Sequence, residues 1–121
     1  YQALEKEMEN LNNDKKIFGL IGLAARARKV ASGGFMTENA IKSGKSHMVL
    51  LSVEASDNTK KKFTNMCAHY KIPIYIFGSK DELGHAMGQE MRTVLSVNDA
   101  GFAKAMRERM NNDGGSLNES K

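Results

Sequence analysis

Between Asp14 and Met110 the chain switches repeatedly between two hydrophobic periods, and that alternation allows few folds. Ile17, Leu20, Ile21, Ala24 and Ala27 recur at the spacing of one helical face, with Asp14 placed to cap the helix. Arg26, Arg28 and Lys29 gather near its negative end. Val30 to Ser32 reads as a short strand running into Gly33 and Gly34, and Phe35 to Ser43 as a short helix stopped by Gly44. Met48 to Val53 is an apolar run suited to a strand buried on both faces. Ser56 or Asp57 then caps a helix whose Phe63, Met66, Cys67 and Tyr70 share one side, with Lys60, Lys61 and Lys62 largely on the other. Pro73 introduces a strand from Ile74 to Phe77. Ser79 and Glu82 have capping-box spacing, which predicts a helix from there to near Gly88. Thr93 to Val97 gives a fourth strand, and Asp99 caps a helix carrying Phe102, Ala103, Met106 and Met110. Strands alternating with helices predict an α/β fold, a single-domain three-layer α/β/α sandwich around a central mixed four-stranded sheet.

The flanks lack this alternation. Leu4, Met8 and Leu11 are spaced four and three apart, which allows one side of a short helix, but residues 1–13 are mostly polar and are expected to be a flexible extension of a processed or engineered fragment. Residues 111–121 hold Gly114, Gly115, Ser116 and Ser120 with Leu117 the only apolar side chain, the composition of a disordered tail. The domain is therefore expected over 14–110. No apolar stretch approaches the roughly 20 residues of a membrane span, and no leader opens the chain, so a soluble, cytoplasmic protein without membrane contact is expected.

Charge points to a partner. The net charge of +4 over 121 residues hides an asymmetry: 16 of the 18 Lys and Arg fall between residues 15 and 110, with only 8 of the 14 Asp and Glu, leaving +8. Such an excess attracts phosphate polyanions, because neutralising phosphates releases their condensed counterions.

Chemistry points away from catalysis. Gly44, Lys45 and Ser46 spell part of a phosphate-binding loop, but they follow a helix and lead into a strand, the reverse of the order a P-loop needs. His47, His69 and His85 fall on different elements without metal spacing. Cys67, the single cysteine, sits on an apolar helical side, where a thiol behaves as a small hydrophobe. Asp81 and Glu82 start a helix and suit its dipole. No enzyme, metal or cofactor is expected. Met66, Met87, Met106 and Met110 suit core positions, whereas Met36 and Met91 fall where they line a surface.

Five ordered blocks carry a family resemblance. Ile17 to Gly33 (IFGLIGLAARARKVASG), Ala40 to Gly44 (AIKSG), Met48 to Ser52, Ile72 to Gly84 (IPIYIFGSKDELG) and Asp99 to Lys104 together resemble the bacterial YlxQ-type branch of the kink-turn-binding ribosomal protein superfamily, across nearly all of residues 15–106. The resemblance implies a monomeric RNA-binding sandwich whose glycine-led second helix enters the widened groove of a kink-turn, in ribosomal or other noncoding RNA, with ribosomal or translation-associated proteins as further partners. Amides at a helix start favour phosphate, and glycine lets a backbone approach closely. In relatives that bind kink-turns, an Asn-Glu pair after the glycine reads sheared G·A pairs and a later Lys supports it; here those places hold Phe35, Met36 and Asn39. Phe and Met offer no base-edge hydrogen bonds, whereas Phe35 suits stacking on a splayed base or packing into the domain edge. Lys80 matches a basic residue near an extruded nucleotide, and Gln89, Glu90, Met91 and Arg92 match the loop that flanks it. Gly33, Gly34, Lys42, Lys80 and Arg92 are the expected phosphate contacts, with Arg28 and Lys29 nearby. The alternative is a protein-interaction module that keeps the fold but has lost kink-turn reading, using Phe35, Met36 and Met91 as an apolar patch.

Overall fold

A computed structural model of the chain describes residues 2–110. Five helices and four strands alternate along it: α1 (Gln2–Arg26), β1 (Val30–Ser32), α2 (Gly34–Lys42), β2 (Met48–Leu51), α3 (Asp57–Tyr70), β3 (Ile74–Ile76), α4 (Lys80–Ala86), β4 (Val94–Val97) and α5 (Ala100–Met110). The strands form one mixed sheet in the order β1-β4-β2-β3, with β4 antiparallel to both neighbours and β2 parallel to β3. The α/β/α sandwich expected from the sequence is the observed architecture.

Sheet alternation divides the core. Met48 and Leu50 face α1, α4 and α5, meeting Ile17, Ile21, Ala24, Leu83, Ala103 and Met106. Val49 and Leu51 face α2 and α3, meeting Ile41, Phe63 and Cys67. All four residues of β2 are fully buried, which is why its sequence lacks the polar alternation of a half-exposed strand. Each such side chain contributes roughly 1.5–3 kcal/mol by leaving water.

The helix caps follow local chemistry. Ser56 accepts from the Thr59 amide at 3.1 Å to start α3. Ser79 and Glu82 form a reciprocal capping box on α4, at 3.0 and 2.9 Å. Asp99 accepts from the Phe102 amide at 2.9 Å to start α5. One expectation is corrected at α1: Asp14 does not begin the helix, which already runs from Gln2. No Pro or Gly interrupts residues 2–18, so extending an existing helix costs only the modest propensities of Asn12, Asn13 and Asp14. Residues 2–13 are thus helical, while the tail expected over 111–121 lies outside the described residues.

Strand directions give the sheet two poles. At the upper pole β1, β2 and β3 end and β4 begins, so the loops after Ser32, Leu51 and Ile76 meet the loop before Val94. The lower pole gathers the loops that lead into β1, β2 and β3, together with the turn after Val97.

Candidate nucleic-acid interface

At the upper pole α2 starts on a backbone that only glycine adopts readily. Gly33 has φ 88° and ψ 162°, a region closed to side chains with a Cβ. Its amide donates to the Val94 carbonyl at 2.9 Å and so belongs to the sheet, while its carbonyl accepts from the Thr37 amide at 3.0 Å. Buried Thr37 fastens the first turn from inside, its hydroxyl donating to the Ala31 carbonyl at 3.4 Å. No side chain caps this helix. The amides of Gly34, Phe35 and Met36 therefore form the open mouth, and Gly33 shapes it without offering a free N–H.

Phe35 is 77% exposed and Met36 53%. Of the two fates open to Phe35 in the sequence, packing into the domain edge is excluded. Met91, from the neighbouring loop, is exposed as well, as expected for a surface methionine.

That loop is clamped to α2's approach. Gln89 donates its amide to the Gly84 carbonyl at 2.8 Å, and Arg92 donates its own amide to the Lys80 carbonyl at 2.9 Å. The Arg92 guanidinium donates to the Met91 carbonyl at 2.9 Å, the Gln89 side-chain oxygen at 3.2 Å and the Ser32 hydroxyl at 3.4 Å. Most of its donors are occupied, so half-buried Arg92 chiefly ties the loop to the end of β1. Two contributors were not singled out in the sequence. A Cβ at Gly84 would lie 1.9 Å from the Glu90 carbonyl oxygen, so the loop rests directly on this glycine. Glu54 accepts from the Lys80 amide at 2.9 Å, which, with the capping box, fills the mouth of α4. A glycine inside a helical pattern was the available signal for the first; nothing local signalled the second.

The other expected site residues lie elsewhere. Lys42 ends α2 and is paired: Glu38 takes hydrogen bonds from Lys42 at 2.8 Å and Lys62 at 2.9 Å. Arg28 and Lys29 lie at the lower pole, a whole strand away from Gly33. Exposed Asn39 shares a shallow groove of about 480 Å³ along edge strand β1 with Ala31, Met36, Lys42, Lys45 and Asn98. The hydrogen bonds from Lys42 and then Lys62 hold the Glu38 carboxyl down to about 2 from an ordinary 4.5. With the folded value depressed, the pair's contribution to stability is full above about 4.5 and fades as pH falls towards 2. A carboxyl titration by NMR is expected to place Glu38 near pH 2 in the native chain. The Lys42→Met, Lys62→Met variant should return it to the usual carboxylate range.

Burial pushes the Cys67 thiol up to about 12, which suits a packing role. Among the described residues no His, Cys, Asp and Glu gather as a metal site, and no helix is long and apolar enough to cross a membrane.

Comparison with known proteins agrees with this architecture. The model of the ribosomal protein L7Ae/L30e/S12e/Gadd45 family matches residues 15–107. RNA-binding protein YlxQ of Bacillus subtilis (strain 168) is 44% identical over 89 residues, covering 74% of this chain and 89% of that protein. RNA-binding protein YlxQ of Enterococcus faecium is 36% identical over 99 residues, covering 82% and 95%. A solved structure of a protein with unknown function from Bacillus halodurans C has a TM-score of 0.77 at 38% identity, covering 79% of this chain and 97% of that one. The Giardia lamblia 15.5kD RNA binding protein shares the fold at a TM-score of 0.70 and 18% identity, covering 84% and 87%.

Proposed function

Because the chain belongs to the ribosomal protein L7Ae/L30e/S12e/Gadd45 family, we propose that it binds structured RNA, kink-turn-like or ribosomal, at the open mouth of α2 and the loop beside it. The uncapped start of α2 next to an exposed aromatic carries the proposal. Three amides aimed outward donate to a phosphate, while Phe35 offers a face on which a splayed base stacks. Half-buried Lys80 and the clamped loop of Gln89, Glu90, Met91 and Arg92 form the second wall. The RNA-binding names of the two curated relatives support the class of partner.

Stacking on an aromatic is worth about 1–3 kcal/mol per base, so Phe35→Ala is expected to weaken binding by about 5- to 150-fold. Anisotropy titrations against kink-turn and ribosomal RNA fragments at fixed salt check this. Affinity unchanged for every fragment would count against α2 as the contact. The same exposure of Phe35, Met36 and Met91 favours a second reading, an apolar patch for a protein partner. In that case Phe35→Ala leaves RNA affinity intact and abolishes co-purification of a ribosomal or translation-associated protein.

A further inference from the structure

The +8 of the domain does not sit where α2 opens. In the upper-pole loops and the helical turns that follow them, Lys60, Lys80 and Arg92 face five carboxylates: Glu54, Asp57, Asp81, Glu82 and Glu90. The lower pole is the reverse. Its loops and adjoining turns hold Arg26, Arg28, Lys29, Lys42, Lys45 and Lys71 against Asp99 alone.

The backbone brings these loops together. Asn98 donates its amide to the Lys29 carbonyl at 2.7 Å, His47 to Val97 at 2.8 Å, and Val49 to Pro73 at 2.9 Å. Cations near helix ends complement the dipole, and α1, α2 and α3 all finish here. Three helix ends supply only about 1.5 negative charges and the start of α5 returns about 0.5, so with Asp99 and the Glu38 that pairs with Lys42 they leave a surplus of about 3. Lys42 is spoken for by Glu38, but Arg28, Lys29, Lys45 and Lys71 are exposed and join no ion pair among the described residues.

Arg28 (φ 61°) and Lys71 (φ 60°) are the non-glycine residues with positive φ in the described chain. Both follow a helix at positions where glycine fits without strain. At each, a cation is kept at this pole against the conformational preference of the site.

We propose that the lower pole is a second phosphate-binding face, which takes the backbone of an RNA duplex so that one molecule engages two RNA segments at once. Its contacts are Arg28, Lys29, Lys45 and Lys71, reading charge and shape without base specificity. The β1 groove connects it to Met36 beside the α2 mouth. It shares with the upper-pole proposal only the class of partner.

The test uses the full chain and a plain, unkinked RNA duplex, followed by fluorescence anisotropy across salt. Each phosphate contact contributes roughly 0.7–0.9 to the slope of log affinity against log salt, so removing four should make it shallower by about 3. Between roughly 50 and 200 mM salt, the fall in affinity should shrink by about 50- to 150-fold in the variant Arg28→Gly, Lys29→Gln, Lys45→Gln, Lys71→Gly. The two glycines occupy left-handed positions, so the thermal midpoint is expected to hold or rise. If folding nevertheless suffers, Lys29→Gln with Lys45→Gln should give about half the slope change. An unchanged slope in a folded variant overturns the proposal. Phe35→Ala should leave the duplex slope untouched, so failure at one pole is distinguishable from failure at the other.

Discussion

Replacing Gly84 with alanine is expected to destabilise the domain by about 3 kcal/mol and to detach the loop that walls the α2 mouth. The added methyl would sit 1.9 Å from the Glu90 carbonyl oxygen, 2.5 Å from its carbon and 2.9 Å from the Met91 Cα. These are backbone atoms, so no side-chain rotation relieves the clash. The loop must lift, and in lifting it loses the Gln89 amide bond to Gly84 and strains the Arg92 tie to Ser32 and Lys80. Urea denaturation measures the loss of stability. Hydrogen exchange at the Arg92 amide should quicken by more than global destabilisation explains. Gly19, also helical, has nothing within 4 Å of the same added atom, so a comparable loss there would show that the effect belongs to helical glycines in general.

Gly84 also marks the boundary of what the sequence discloses. Features closed within a few residues were legible: the Ser79 and Glu82 box, the Asp99 cap and the fully apolar β2 all express one local rule each. The Glu38 and Lys42 pair belongs to the same class, since its i, i+4 spacing is visible in the chain, yet Lys42 was assigned to phosphate. Contacts that depend on topology were not legible. Arg92 reaches Ser32 across 60 positions and Glu54 reaches Lys80 across 26, so neither the clamp nor the filled mouth of α4 has a local signature. Arg28 and Lys29 look adjacent to Gly33 in the chain, but an extended strand intervenes and carries them to opposite poles. Composition counts charge without assigning it to a pole. At α1 the failure has another cause: Asp14 fits a cap, but a cap preference does not stop a helix that already exists upstream.

Placing on α2 the residues that the kink-turn resemblance implies should produce the other large effect. The variant Phe35→Asn, Met36→Glu, Asn39→Lys is expected to bind a kink-turn about 100-fold more tightly, because each base-edge contact is worth roughly 1–3 kcal/mol. The scaffold should tolerate the change. Phe35 and Met36 are 77% and 53% exposed, Asn39 is exposed, and surface substitutions of this kind stay within about 0.5 kcal/mol in stability. Position 36 lies in the first turn of α2, where a carboxylate also suits the helix dipole. The gain should have a counterpart, since on the proposed contact removing the Phe35 ring also forfeits stacking. Affinity for RNA that presents an unpaired base without sheared G·A pairs should therefore fall while kink-turn affinity rises. Opposite signs on the two RNAs can come only from contact at this helix. Parallel changes, or none, would mean that RNA meets the protein elsewhere, and the lower-pole cations would then be the first place to look.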